Sequence, residues 1–340
     1  MTHMTTYRRW VLAKRPEGVP QADVFRLEDA PLPELQDGQA LIRVEHISVD
    51  PGMRSRLSGD SYAPALPIGA PIESAGVGKV VTSRNAKLKE GTLVWGGFGW
   101  QTHFVSDGRG VQALDPEIYK GSIKPTAAIG VFGIPGLTAF FGLFEIGKPK
   151  EGNVVLVSSA AGTVGATAGQ IAKLQGCTVI GLAGSDAKCA YLKEIGFDVA
   201  INYKTAGDLT AAFKTAAPKG IDIYFDNVGG ETLDAAIVNM RRHGRIVVSG
   251  QISEYNTAEE PRGIRHTLPF ITQRLRMEGL VVYDYGVQFN EARATMAEWV
   301  RAGKLSYREE IIEGIEQAPS AFIGLFTGES FGRRLVHVGS

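Results

Sequence analysis

Cysteine is nearly missing from this chain. Its 340 residues hold two, Cys177 and Cys189, one beside a predicted strand and the other in a predicted helix. A disulfide framework is excluded, and a reducing cytoplasm is the expected compartment. No apolar run reaches the length of a membrane-crossing helix, and Met1 to Trp10 is polar, without the apolar segment of a secretory signal. Neither sign of charge is in excess: 36 Lys and Arg balance 36 Asp and Glu, so no surface built for nucleic acid or an anionic membrane is expected. What remains is an ordinary globular composition, 44% hydrophobic, in a chain long enough for two domains.

The stretch that organises the rest is Asn153 to Gly165. Val154 to Val157 is a continuous apolar run, suited to a strand buried on both faces of a parallel sheet. Small residues follow. Ala160, Gly162 and Gly165 stand at the three positions of a G-x-G-x-x-G fingerprint, and Val164 to Leu174 reads as an amphipathic helix. A strand, small-residue turn and helix bind anions for a physical reason. Glycine lets backbone N–H groups approach a pyrophosphate, and the helix N-terminus carries partial positive charge. A tight turn between any strand and helix reads the same way, so the flanking pattern decides.

Before that stretch, short runs separated by Pro, Gly, Asp and Asn suggest a small barrel: 8–13, 24–28, 40–49, 76–83, 93–95 and 102–106. Thr126 to Phe144 reads as two helical pieces joined at Pro135-Gly136. After the fingerprint, strands at 178–182, 199–202, 221–228, 245–249 and 277–282 alternate with helices at 187–195, 209–216 and 232–240. This alternation implies a doubly wound parallel sheet, and it favours the cofactor-binding reading of the turn. Residues 290–302 read as a helix. Strands at 308–313 and 333–338 flank a helix at 318–326, so the tail is expected to complete the first domain. The expected division is 1–130 with 305–340 and, between them, 131–304.

Three motifs now carry a resemblance: Ala160-Ala161-Gly162-Thr163-Val164-Gly165, Gly184-Ser185-Asp186-Ala187-Lys188 and Phe225-Asp226-Asn227-Val228-Gly229-Gly230. Ser48-Val49-Asp50-Pro51, Gly136-Leu137-Thr138-Ala139 and Tyr307-Arg308-Glu309 extend it over about residues 7 to 338. The chain resembles the medium-chain dehydrogenase/reductase superfamily, and within it the zinc-independent branch of prostaglandin reductases (leukotriene B4 12-hydroxydehydrogenases), curcumin reductases and alkenal double-bond reductases. The resemblance implies a GroES-like β-barrel catalytic domain, a Rossmann domain and an active site between them. It also implies NADPH-dependent reduction of the carbon–carbon double bond of enals and enones, and a homodimer formed along the last Rossmann strand, 277–282. A zinc-free NADPH quinone oxidoreductase is the alternative on the same fold.

No carboxylate stands at the tip of the second strand, where an NAD-selective site places one. Asp186 follows two residues later, as a charge suited to a helix start. Lys188 can pair with a 2′-phosphate as a point charge. The resemblance assigns Lys188 and Tyr203 to that phosphate, Gly184, Ser185 and Asn227 to cofactor contacts, and Ser249, Gly250, Ile252 and Tyr255 to the nicotinamide side. Leu280, Val281 and Val282 match a stretch near the carboxamide. Ser330 stands where relatives often carry Asn. Asp50 occupies the usual first-ligand Cys position and Ile72 the His position of a zinc site, so no metal is expected. None of the six histidines shows ligand spacing.

Enone reduction needs hydride at the β-carbon, a donor at the carbonyl oxygen where enolate charge develops, and a proton for the α-carbon. Tyr255 is the expected donor, a phenol neutral at pH 7. Relatives read Asp-Pro-Tyr-Met-Arg where this chain reads Asp50-Pro51-Gly52-Met53-Arg54, so Gly52 is expected to widen the pocket. Met53, Phe98, Trp100, Tyr283 and Tyr285 are candidate wall residues, Tyr285 foremost.

Overall fold

The computed structural model describes residues 6–61, 63–257 and 263–339. They fall into two compact units. One comprises Met1–Ile129, Glu309–Ser330 and Arg334–Ser340; the other comprises Gly130–Arg308 and Phe331–Arg333.

The first unit is built from short strands. β1 (Thr6–Leu12) and β2 (Phe25–Pro31) form an antiparallel ribbon. β3 (Ala40–Ser48) is the alternating strand, with Ala40, Ile42 and Val44 fully buried. The short helix α1 (Met53–Ser58) follows, then β4 (Gly76–Ser83), β5 (Leu93–Gly96), β6 (His103–Ser106) and β7 (Val111–Ala113). Neither α1 nor β7 has a recognisable period, and the sequence reading passes over both. β3 pairs with β4, β6 and a strand from the tail, which places it at the centre of the sheet. Phe25, Trp100 and Phe322 pack with ring centroids 5.3 to 6.0 Å apart. Phe98 and Trp100 are therefore part of the core, at 1% and 0% exposed.

His46 on β3 and His103 on β6 are largely buried. Burial holds both below the ordinary histidine value of 6.5, and the His337 ring 4.9 Å away adds to the effect at His46. As pH falls through that value the unfolded chain takes up protons that the folded one refuses, so stability is lost on the acid side. Urea midpoints are expected to fall between neutral and mildly acid pH, and a His46→Gln/His103→Gln double variant is expected to flatten the fall. A fall of equal size in that variant would remove these two groups as its cause.

The first unit's leading segment ends in a 3₁₀ helix, Pro125–Ile129, and the second unit opens with α2 (Ile134–Phe141), prolonged by a π-helical turn, Gly142–Gly147. Two helical pieces are present as expected, the 3₁₀ helix 125–129 and α2, but they are separated by residues 130–133, and Pro135 lies in the first turn of the second, where its missing N–H costs nothing. β8 (Val154–Val157), α3 (Thr163–Leu174), β9 (Thr178–Ala183), α4 (Asp186–Glu194), β10 (Val199–Asn202), α5 (Leu209–Ala216), β11 (Ile221–Asp226), α6 (Gly230–Val238), β12 (Met240–Val248), α7 (Leu268–Thr272) and β13 (Arg276–Gly279) follow. Among the described residues the sheet order is β10-β9-β8-β11-β12-β13, all parallel where paired. In order of appearance this is 3-2-1-4-5-6, the order of a Rossmann sheet, whose switch point lies between β8 and β11. The fold is thus α/β, a doubly wound parallel sheet beside a separate, largely antiparallel unit.

β13 ends three residues before the strand expected over 277–282. Leu280 still donates its N–H to the Val248 carbonyl at 3.0 Å, but Val282 opens a 3₁₀ segment reaching Gln288. Helix α8 (Phe289–Arg301) then leads to the tail: β14 (Glu309–Glu313), α9 (Ala318–Ile323) and β15 (Arg333–His337). β15 pairs antiparallel with β3, Leu335 opposite Ser48.

Candidate active site

The site-bearing turns of the second unit lie at the C-terminal ends of β8, β9, β11 and β12. After β8 the chain turns through Ser159, at φ 48°, and Ala160, whose N–H donates to the Leu182 carbonyl at 2.8 Å. Gly162 caps α3 with extended backbone and no side-chain bond. The N–H groups of Thr163, Val164 and Gly165 thus belong to the first turn of a 12-residue helix, where no intrahelical acceptor exists. Gly165 has no room for a side chain: a Cβ there would sit 2.5 Å from the Ser159 carbonyl oxygen and 2.7 Å from the Ala160 Cα. On the other side of the turn the Gly332 N–H donates to the Ala161 carbonyl at 3.0 Å. A turn held this closely is a cradle that fits a pyrophosphate.

At the end of β9, Ser185 caps α4, its Oγ accepting the Lys188 N–H at 3.3 Å. Tyr203 donates its N–H to the Ala183 carbonyl, and its hydroxyl lies 2.9 Å from where a Cβ on Gly184 would stand. Gly184, Ser185, Lys188 and Tyr203 are thus brought together. Asp186 opens α4, and its carboxylate accepts from the Asn202 amide at 2.7 Å. It is tied to β10.

Asn227 follows β11. Its backbone N–H reaches Ser158 Oγ at 2.9 Å and its side-chain amide reaches the Ser158 carbonyl at 2.8 Å. Beside it runs the segment after β12. Ser249 and Gly250 donate to the Asp226 carbonyl at 2.8 and 3.1 Å, and Ile252 donates to the Asn227 carbonyl at 3.3 Å. Half-buried Tyr255 folds back on this segment, its phenol oxygen accepting the Gln251 N–H at 3.3 Å. That bond occupies an acceptor site and leaves the O–H as the group to offer a ligand. Ser158 and Asp226 escape the sequence reading as site residues. Each is a polar residue closing an apolar strand, and Asp226 also lies in the Phe225-to-Gly230 motif, but neither signal gives it a role.

Leu280 packs into the core with Ala139, Leu143 and Phe225, and Val282 is buried, while Val281 is 41% exposed. The Tyr285 ring lies parallel to Phe141, centroids 4.8 Å apart. Gly52, Met53 and Ser330 belong to the other unit. Gly52 has φ −62° and ψ −19°, right-handed values that any residue adopts, so no turn requires glycine there. Met53 packs against the core of its unit.

The zinc positions do not suit a metal. The Asp50 carboxylate accepts from Ser48 Oγ at 2.7 Å, Ile72 is wholly buried among apolar side chains, and Glu73 pairs with Arg56. An aliphatic side chain supplies no ligand. Both cysteines lie in the second unit, and burial pushes the Cys177 thiol up to about 11, away from the ligating thiolate. Among the described residues no three His, Cys, Asp or Glu side chains are placed to hold an ion. His3 lies outside them.

Comparison with known proteins agrees with this geometry. Residues 8–114 match the family model described as the N-terminal domain of oxidoreductase, and residues 163–301 match that described as zinc-binding dehydrogenase. The chain is 41% identical over 339 residues to the NADPH-dependent curcumin reductase of Escherichia coli, covering 97% of this chain and 96% of that one. It is 43% identical over 296 residues to the NADP(+)-dependent 2-alkenal reductase of Nicotiana tabacum, covering 86% and 85%. Its fold superimposes with a TM-score of 0.91 on the crystal structure of CurA from Vibrio vulnificus in complex with NADPH, at 38% identity over 98% of this chain and 99% of that one. With two nucleotide-side turns built as described and relatives this similar over nearly their whole length, the chain belongs to the medium-chain dehydrogenase/reductase oxidoreductases, in the branch of the curcumin and 2-alkenal reductases.

Proposed function

We propose that this protein is an NADPH-dependent reductase of the carbon–carbon double bond of α,β-unsaturated aldehydes and ketones. The observation that carries the cofactor choice is the group at the end of β9: Ser185, Lys188 and Tyr203 gather around Gly184, and no carboxylate stands at the strand tip. A carboxylate there would favour a ribose 2′-hydroxyl, whereas an ammonium favours a 2′-phosphate. The relatives' enone and enal substrates support the reaction class.

NADPH, when bound, supplies the hydride for the β-carbon. The turn Ala160 to Gly165 cradles the pyrophosphate, with the first-turn N–H groups of Thr163, Val164 and Gly165 as its donors, and Asn227, Ser249, Gly250 and Ile252 shape the nicotinamide side with the backbone of Leu280 to Val282. Tyr255 donates its phenolic hydrogen bond to the substrate oxygen as negative charge grows there. The α-carbon proton comes from Tyr255 or from water. Gly52, Met53 and Tyr285 border the substrate, and Gly52 leaves room for bulky ring-bearing enones. Residues 1–130 with 305–340 form the catalytic domain and 131–304 the cofactor domain. Two copies pair along β13, an edge strand near exposed Ile271, Leu268 and Tyr283, and the enzyme works in the cytoplasm.

The test is NADPH consumption with an alkenal, a bulky aryl enone, a quinone and a saturated aldehyde, products identified by mass. Enone-dependent consumption giving the saturated ketone is expected. Turnover of the quinone alone would replace this reading with quinone reduction. In the same assay Lys188→Ala is expected to raise KM for NADPH about tenfold, as loss of one charged hydrogen bond implies, and to leave KM for NADH unchanged. Equal effects on both cofactors would remove Lys188 from the 2′-phosphate.

A further inference from the structure

A buried polar network underlies the two turns on the nicotinamide side, and no role so far uses it. Asp226 at the end of β11 and Ser158 just after β8 are both 0% exposed. Asp226 Oδ1 accepts from the Tyr224 hydroxyl at 2.7 Å, from the N–H groups of Val228 and Gly229 at 2.9 Å each, and from Ser158 Oγ at 3.3 Å. Its Oδ2 is buried with no hydrogen-bond partner among the described residues. Burial pushes this carboxyl above the usual carboxylate range, and its hydrogen bonds to Gly229, Tyr224, Val228 and Ser158 pull the other way.

A carboxyl group in this place is costly, because burial penalises it and only one oxygen is matched by donors. An apolar side chain would fill the strand end without that cost. The two side chains do what apolar ones cannot: Ser158 Oγ accepts the Asn227 N–H, and the Asp226 carboxyl accepts those of Val228 and Gly229. This fixes the main chain, whose carbonyls then hold the Asn227 amide and, through Val228, Ser253 of the Tyr255 segment. The Ser158 carbonyl only accepts, so the Asn227 amide must turn its NH₂ toward it and present Oδ1 as the group offered to a ligand hydroxyl. The Asp226 carboxyl gathers the N–H groups of Val228 and Gly229, where Gly229 and Gly230 turn at φ 74° and 54°. The Asp226 carbonyl anchors Ser249 and Gly250, from which the chain runs to Tyr255. Three site elements, distant in sequence, are thus referred to one buried pair.

We propose that Asp226 and Ser158 are positioning residues that set the orientation of the Asn227 amide and the course of the Tyr255 segment, touching neither cofactor nor substrate. The inference rests on the NADPH reading of the site. Its test uses the full chain, with Kd for NADPH from nucleotide fluorescence, KM and kcat from enone turnover, and melting temperature for each variant. Asp226→Ala is expected to raise Kd and KM for NADPH about tenfold to a hundredfold and to lower kcat at saturating NADPH. Asp226→Asn keeps the Oδ1 acceptor and is expected to restore most of both. Ser158→Ala is expected to shift Kd in the same direction by less, and it decides the matter if Asp226→Ala does not fold. Variants that melt earlier yet keep wild-type Kd, KM and kcat would overturn the proposal, as would an Asp226→Asn variant with no recovery over Asp226→Ala. Wild-type protein that fails to bind NADPH overturns the functional reading and this proposal together; wild-type binding with unaltered variants overturns this proposal alone.

Discussion

Gly165→Ala is expected to weaken NADPH binding by about a hundredfold, the scale set by displacing a binding group through roughly 1 Å. The new methyl carbon would lie 2.5 Å from the Ser159 carbonyl oxygen and 2.7 Å from the Ala160 Cα, both backbone atoms with little freedom to retreat. The turn already holds Ser159 at a positive φ, and its flanks are tied to Leu182 and Gly332 by hydrogen bonds. Relief must therefore come from moving α3 away from the turn, which withdraws the N–H groups of its first turn from the phosphate they serve. Gly162→Ala is the matched control. A Cβ there meets nothing nearer than 3.4 Å, and the residue has φ −81°, so a change of only a few-fold is expected. Fluorescence titrations of both variants with NADPH check the pair. Equal losses, or none at Gly165, would remove close helix packing as the reason for glycine there.

Tyr255→Phe carries the second large effect: kcat for enone reduction is expected to fall about a hundredfold to a thousandfold, with KM for NADPH nearly unchanged. The substitution removes one hydroxyl and leaves the ring. The Gln251 N–H loses its partner, but it lies on an exposed residue where water replaces the bond. The loss should therefore fall on the transition state, where the substrate oxygen gathers charge, and not on ground-state binding. A variant whose kcat stays within twofold of wild type would assign charge stabilisation to another donor.

Much of the fold was legible because its signals are local. Val154 to Val157 reads as a buried strand since four consecutive apolar residues leave no polar face, and the Ala160-to-Gly165 turn reads as an anion cradle since small residues admit close backbone approach. Residues 76–83, 199–202 and 209–216 coincide with β4, β10 and α5. Where local signals are weak, the expectations moved. Pro135 reads as a break, yet it begins α2, because proline is excluded from a helix interior and not from its first turn. The run 277–282 holds four apolar residues and reads as one strand, but β13 ends at Gly279, Leu280 keeps one bond to Val248 and Val282 enters a 3₁₀ segment. Hydropathy does not distinguish these alternatives.

The candidate site divides along the same line. Lys188, Tyr203, Asn227 and Tyr255 were visible through motifs. Asp226 stood inside a motif without a role of its own and Ser158 closed the apolar strand without one, because their roles come from bonds spanning 68 or 69 residues, which no window of sequence contains. By itself the sequence determined the element types, the parallel alternation, the cofactor turn, the absence of a carboxylate at the tip of β9 and the family, all consequences of side-chain size, periodicity and charge in short segments. Only the tertiary structure decided that β8 and β11 are neighbours, that Asp226 and Ser158 are wholly buried between their turns, and that the Tyr255 phenol folds back on its own loop. Strand order and hydrogen-bond direction are settled when distant segments pack together, since a donor has no partner until the sheet supplies one.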